Sequence, residues 1–191
     1  GRERLPDLTG SVKIYQDHAE ALSPLTFIVS GDAASLPSYD RKVRWQVSKN
    51  GDDRWEDIAG ATASSYTPQL ADIDKYFRVV FSVKGYHSLL VSPAVKCEKT
   101  ALTGTVTYNN AQPSPSNPIA YVLSGKVKEV DASLIKAQWQ CSGNGIDGWT
   151  DIAGKTGVTY WLSAADVGKY FRVMITATGF DGALYGPLRR C

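Results

Sequence analysis

Cysteine and histidine are scarce in this chain, with three of the first and two of the second in 191 residues. An odd number of thiols leaves at least one without an intramolecular partner, and no Cys-x-x-Cys or Cys/His spacing offers a zinc site. No run of about 18 apolar residues is present, so no helix is expected to insert in a membrane. Neither sign of charge dominates: 21 basic residues face 19 acidic ones. They form no basic cluster, so nucleic acid is not an expected partner. Gly-x-Ser-x-Gly, His-Glu-x-x-His and glycine-rich phosphate loops are all absent, and no cofactor is implied. No export signal is visible at Gly1, and because cleavage removes such a signal its absence carries no information.

What the chain does contain is itself, twice. Residues 8–97 align without a gap on residues 102–191, with 32 identities in 90 positions. Leu8 falls on Leu102, Trp45 on Trp139, Tyr76 on Tyr170 and Cys97 on Cys191. A unit of this length can bury its own core, and it exceeds the roughly 20 to 50 residues of a solenoid repeat. The expected organisation is a first domain over 1–97, a connector over 98–101 and a second domain over 102–191. Four residues are too few for the domains to move as independent coils.

Within a unit, apolar and polar residues alternate at period two, and turn residues interrupt every eight to twelve positions. Val43, Trp45 and Val47 lie on one face, with Arg44, Gln46 and Ser48 on the other. Ala137, Trp139 and Cys141 repeat the buried set, so Cys141 reads as a small core residue. Asn50-Gly51 and Asn144-Gly145 tolerate positive φ and reverse the chain into a hairpin. The strongest repeated block runs from Asp72 to Val79 and from Asp166 to Val173. Phe77, Val79, Phe81 and Val83 then alternate as a half-buried strand, and the segments 89–95 and 183–189 return beside it. One helical turn is expected near residues 70–72. Residues 109–118, rich in proline, asparagine and serine, read as a loop in place of a central strand.

About seven short strands per unit, a Trp on the third and an Asp-x-x-x-Tyr turn before the sixth resemble an immunoglobulin-like sandwich. The resemblance implies that Tyr76 and Tyr170 anchor a corner by hydrogen-bonding back to the backbone. Arg78 and Arg172 occupy the positions where antibody domains carry the second inter-sheet cysteine, so apolar packing alone must join the sheets. A closer resemblance is to bacterial Ig-like repeats found in tandem in secreted and cell-wall-attached proteins. Their pattern is carried by Trp45, Ser48, Gly51, Trp55, Ile58, Gly60, Thr62, Tyr66, Thr67, Ala71, Asp72, Lys75, Tyr76, Arg78 and Val79. The second unit repeats the series, with Trp161 in place of Thr67. The expectation is an all-β chain of two tandem immunoglobulin-like β-sandwich domains, with Trp45, Trp139, Tyr76, Tyr170, Asp72 and Asp166 as structural residues.

Few positions suggest chemistry. His18 and His87 have no counterparts in the second unit and read as exposed loop residues. Asp52, Asp53 and Asp57 gather oxygen near the first hairpin and form a weak calcium candidate, though turn chemistry also accounts for them. Trp55 and Trp149 read as packed residues on which Arg78 and Arg172 stack. Trp161 has no aromatic counterpart, so Trp161, Tyr160 and Tyr185 form the candidate ligand-binding set. The expected role is that of a non-catalytic spacer or interaction segment in a secreted or surface protein, monomeric, with a surface glycan or protein as partner. A carbohydrate- or host-protein-binding module is the alternative, as is an accessory domain of a larger secreted hydrolase.

Overall fold

The computed structural model describes residues 3–191; Gly1 and Arg2, at the head of the first expected domain, lie outside them. The chain divides into two compact units between Lys99 and Thr100. Neither contains an α-helix among the described residues, and no helix is long and apolar enough to cross a membrane.

The first unit is built from β1 (Ser11–Ile14), β2 (Ala19–Glu20), β3 (Leu25–Ser30), β4 (Arg41–Ser48), β5 (Glu56–Asp57), β6 (Ser65–Tyr66), β7 (Tyr76–Val83), β8 (Leu90–Val91) and β9 (Val95–Glu98). One sheet has the order β1-β3-β6. The other runs β2-β9-β7-β4-β5, with β8 also pairing β7. The first stretch of chain thus serves both sheets, β1 antiparallel to β3 and β2 parallel to β9. This pairing is that of an immunoglobulin-like sandwich. Between the sheets lie Val12, Ile14, Leu25, Trp45, Phe77, Val79, Phe81 and Cys97, all buried.

The second unit comprises β10 (Thr100–Ala101), β11 (Thr105–Tyr108), β12 (Ile119–Ser124), β13 (Ile135–Ser142), β14 (Thr150–Asp151), β15 (Thr159–Tyr160), β16 (Tyr170–Ala177), β17 (Phe180–Asp181), β18 (Leu184–Tyr185) and β19 (Arg189–Arg190). Its sheets have the orders β11-β12-β15 and β14-β13-β16-β18, with β19 on β16 and β10 parallel to β17. Residues 98–101, expected as a connector, are mostly strand: Glu98 ends β9, and Thr100 and Ala101 form β10.

Each Trp at the centre is fully buried and satisfies its indole N–H on backbone, Trp45 on the Ala63 carbonyl at 3.0 Å and Trp139 on the Gly157 carbonyl at 2.9 Å. Burying so large a side chain is worth several kcal/mol on truncation, about 3–5. The three cysteines are free thiols. Cys141 packs, half-buried, against the core of its unit.

Both hairpins rest on the same polar knot. Ser48 Oγ accepts the Gly51 N–H at 3.1 Å and donates to the Asp53 carbonyl at 2.6 Å, and Ser142 repeats this with Gly145 and Asp147 at 3.0 and 2.6 Å. Gly51 has φ +80°, and a Cβ there would come within 2.7 Å of the Tyr76 ring. Position 51 therefore needs glycine for both backbone and space.

Three expectations change. The segment after the first strand is a loop only in the second unit, where Ser114 and Asn117 bridge each other; in the first it carries β2. The returning strand is broken into β8 and β9, and into β18 and β19, at Pro93 and Pro187, which have no N–H for the ladder. Finally, Tyr76 and Tyr170 are not corner anchors: their rings cover Gly51 and Gly145, and among the described residues neither hydroxyl is hydrogen-bonded. At these turns the bonding hydroxyls are those of Tyr66 and Tyr160, which donate to Asp72 and Asp166 at 3.4 and 2.8 Å. Those carboxylates also cap the single 3-10 turns Leu70–Asp72 and Ala164–Asp166, accepting the N–H groups of Gln69 and Ser163.

Candidate functional site

Paired strands β13 and β16 place Gln140 opposite Arg172 and Gln138 opposite Met174 on the outer side of the larger sheet of the second unit, since Trp139 and Val173 between them point inward. The outer strands add one aromatic each. Tyr185, opposite Met174 on β18, and Trp149, ahead of β14, close on Arg172 from either side. The Arg172 guanidinium carbon lies 4.2 Å from the Trp149 ring centre and 4.4 Å from that of Tyr185. A cation close to two aromatic rings is attracted by both quadrupoles. Its Nε donates to Gln140 Oε1 at 2.9 Å, and Gln140 Nε2 donates to Asp151 Oδ1 at 2.8 Å. Beside this stack runs a shallow groove of about 510 Å3 lined by Lys136, Gln138, Asp151, Thr156, Met174 and Thr176.

The first unit has the same relay without the second ring. Arg78 lies 4.2 Å from the Trp55 ring centre and donates to Gln46, which donates to Asp57. Position 91, equivalent to Tyr185, is Val91, and Gln138 is matched by Arg44, which pairs with Asp57 at 3.5 Å. Burial and the neighbouring Arg44 both hold Arg78 below its ordinary pKa. Gln138 instead turns its Nε2 onto the Trp139 and Ile152 carbonyls, each at 2.9 Å.

The candidate set read from the sequence does not assemble. Tyr160 is only 2% exposed and belongs to the core, packed on Trp139 at 5.6 Å and on Phe171 at 5.6 Å. Burial first, then the Asp166 hydrogen bond, push its hydroxyl well above the usual phenol range. Trp161, 65% exposed, follows it in the chain and so turns to the opposite side of the smaller sheet. Tyr185, 48% exposed, is on the larger sheet. Trp149 and Arg172 complete its surface. Their pairing was readable from the repeat, while the arrival of Tyr185 from a third strand was not.

The acidic hairpin is likewise dispersed. Asn50 Nδ2 donates to Asp53 Oδ1 at 2.7 Å, the Asp52 N–H donates to Asn50 Oδ1 at 3.1 Å, and Asp57 is engaged by Gln46 and Arg44. Among the described residues no group of three or more His, Cys, Asp or Glu side chains converges on one point. His18 and His87 sit beside Glu20 and Asp7 at 3.3 and 3.4 Å, all exposed. Burial pushes the Cys97 thiol up to about 11, which keeps it protonated at neutral pH.

A family profile described as "Domain of unknown function (DUF8696)" matches residues 9–98, the first unit. A search of curated proteins found no match. Among solved structures the chain is similar to murine CEACAM1b, with 6% identity, 95% of this chain and 98% of that one covered, and a TM-score of 0.33. It is also similar to the three N-terminal domains of the highly immunogenic outer capsid protein (Hoc) of bacteriophage RB49, at 14% identity, with 93% and 59% covered and a TM-score of 0.37. A Dscam isoform structure matches at 10% identity, with 96% and 46% covered and a TM-score of 0.37. The chain thus spans about half the length of the latter two, and the immunoglobulin-like fold follows from the strand pairing itself.

Proposed function

We propose that this chain is a non-catalytic immunoglobulin-like segment of an exported protein, of the bacterial surface type, in which the second unit carries the ligand face and the first acts as a spacer. The observation that carries this reading is the Trp149, Arg172 and Tyr185 stack. The two units share their buried frame, the hairpin knot, the glutamine relay and a groove beside it, yet among the described residues the second alone closes two aromatic rings over its arginine, and its groove is the larger, about 510 Å3 against about 280 Å3. Tryptophan, tyrosine and arginine are the residues enriched at binding hot spots.

The test is a glycan and protein array probed with the whole chain and with Tyr185→Val, which gives the second unit the residue of the first. Binding by the native chain that falls at least fivefold in Tyr185→Val supports the ligand face. Binding unchanged in Tyr185→Val and lost in Trp161→Ala would move the site to the smaller sheet and overturn the assignment.

A further inference from the structure

Arg172 offers more donors than the fold uses. A guanidinium carries five N–H groups, and here Nε alone is engaged, by Gln140. Among the described residues its Nη1 and Nη2 groups donate to nothing and no carboxylate pairs with it. Asp151, the nearest acid in the relay, is bound through Gln140 instead. Contact with the Trp149 and Tyr185 rings, together with the Gln140 bond, holds the guanidinium in place. Most of the ordering entropy that a ligand contact would cost is thereby removed in advance.

Building on the ligand face proposed above, we infer that Arg172 receives the carboxylate of an acidic sugar, of the uronic or sialic type. An arginine fork matches a carboxylate with two parallel N–H···O bonds. The rest of the site suits a sugar ring. The exposed Tyr185 ring supplies an apolar wall against which the C–H face of a pyranose stacks. The adjoining groove presents hydrogen-bonding groups without an excess of either charge: Thr156, Thr176, Gln138, Lys136 and Asp151. Gln138 spends its Nε2 on backbone carbonyls, and its Oε1 remains as an acceptor for a sugar hydroxyl. The first unit presents a different surface, because Val91 replaces the second ring and its smaller groove, about 280 Å3, carries Arg44, paired with Asp57, in place of Gln138.

The experiment titrates the whole chain with methyl glucuronide, N-acetylneuraminic acid, neutral methyl glucoside and an N-acetylated aspartyl dipeptide amide, followed by tryptophan fluorescence and calorimetry. The expected result is saturable binding of one or both acidic sugars, at least tenfold tighter than of the glucoside or dipeptide. Arg172→Lys, which keeps the charge and loses the fork, should weaken it at least tenfold, and Arg78→Lys should leave it unchanged. Equal binding of acidic and neutral sugars that Tyr185→Val weakens would overturn the carboxylate role while leaving the ligand face intact. Tighter binding of the dipeptide would overturn the sugar in favour of a peptide carboxylate. Binding indifferent to Arg172→Lys and to Tyr185→Val would sink both the inference and the face. Unaltered circular dichroism and melting of each variant separate these outcomes from misfolding.

Discussion

The N–H groups of Val79 and Val173 occupy the same place in two copies of one sandwich and are satisfied by different residues. In the first unit Val79 donates to Ser92 Oγ at 2.8 Å, and Ile14 fills the core beneath. In the second, Gly186 stands where Ser92 was and Tyr108 where Ile14 was; the Val173 N–H donates to the Tyr108 hydroxyl at 3.1 Å. A Cβ at position 186 would fall on that hydroxyl, so the tyrosine and the glycine are one exchange. Two positions 78 residues apart in sequence (186 − 108) have changed together around a constant demand, the pairing of one buried backbone donor. The same ring stacks on Trp139 at 5.8 Å, alongside Tyr121, the counterpart of Phe27, at 6.5 Å. The buried frame is therefore preserved through compensated pairs, whereas the exposed difference, Val91 against Tyr185, has no compensating partner.

The largest expected effects break the exchange. Tyr108→Ile leaves a cavity over Trp139 and an unpaired Val173 N–H, a loss of roughly 2–5 kcal/mol, and Gly186→Ser overpacks the same spot by roughly 1–3 kcal/mol. The double variant restores the arrangement of the first unit and should recover all but about 1 kcal/mol. Urea unfolding followed by amide exchange, which resolves the two units, measures the coupling. Next, Ser92→Gly in the first unit strands the Val79 N–H and should cost about 1–3 kcal/mol. Tyr160→Phe should follow, at about 1.5–3 kcal/mol for a hydrogen bond to a carboxylate, and Tyr66→Phe should cost less, because the contact is 3.4 Å where Tyr160 has 2.8 Å.

A smaller effect in the second unit appears in acid. Burial works to raise the Asp166 carboxyl, but the Ser163 N–H, the Tyr160 hydroxyl and the Ser163 hydroxyl together hold it below its ordinary value. The folded second unit thus binds fewer protons than its unfolded chain in that range. The stability from Asp166 is full above about pH 4 and disappears as the pH falls through the lower folded value. A loss below about 1 kcal/mol is expected at this solvent-screened site, and Asp166→Asn should remove that part of the acid dependence. The least perturbing change is Val91→Tyr, which supplies a second ring over Arg78; its effect on thermal unfolding should stay within about 0.5 kcal/mol.

The duplicated frame was readable because its determinants are local and repeated: alternation around Trp45 and Trp139, Asn-Gly turns, and the single turn at Leu70–Asp72. Contacts between distant strands were not. The two-residue strand Ala19–Glu20 is too short for a periodic signal. The Tyr160 to Asp166 bond spans a 3-10 turn that no alternation pattern contains, and the corner role went to Tyr76 and Tyr170 on a family analogy. Tyr160 was placed beside Trp161 in the candidate site although period two sends neighbours to opposite sides of a sheet, and its repeat partner Tyr66 already marked it as core. The repeat pairs Trp149 with Arg172, but Tyr185 joins them from a third element, and nothing in the spacing announces that.

Amide and side-chain NMR of the whole chain during titration with N-acetylneuraminic acid and methyl glucuronide addresses the unit-specific face most directly. The indole N–H of Trp149, the Arg172 Nε–H and amides of β13, β16 and β18 should shift together and saturate, with Trp55 and Arg78 still. Shifts shared equally by both units, or centred on Trp161, would contradict the account.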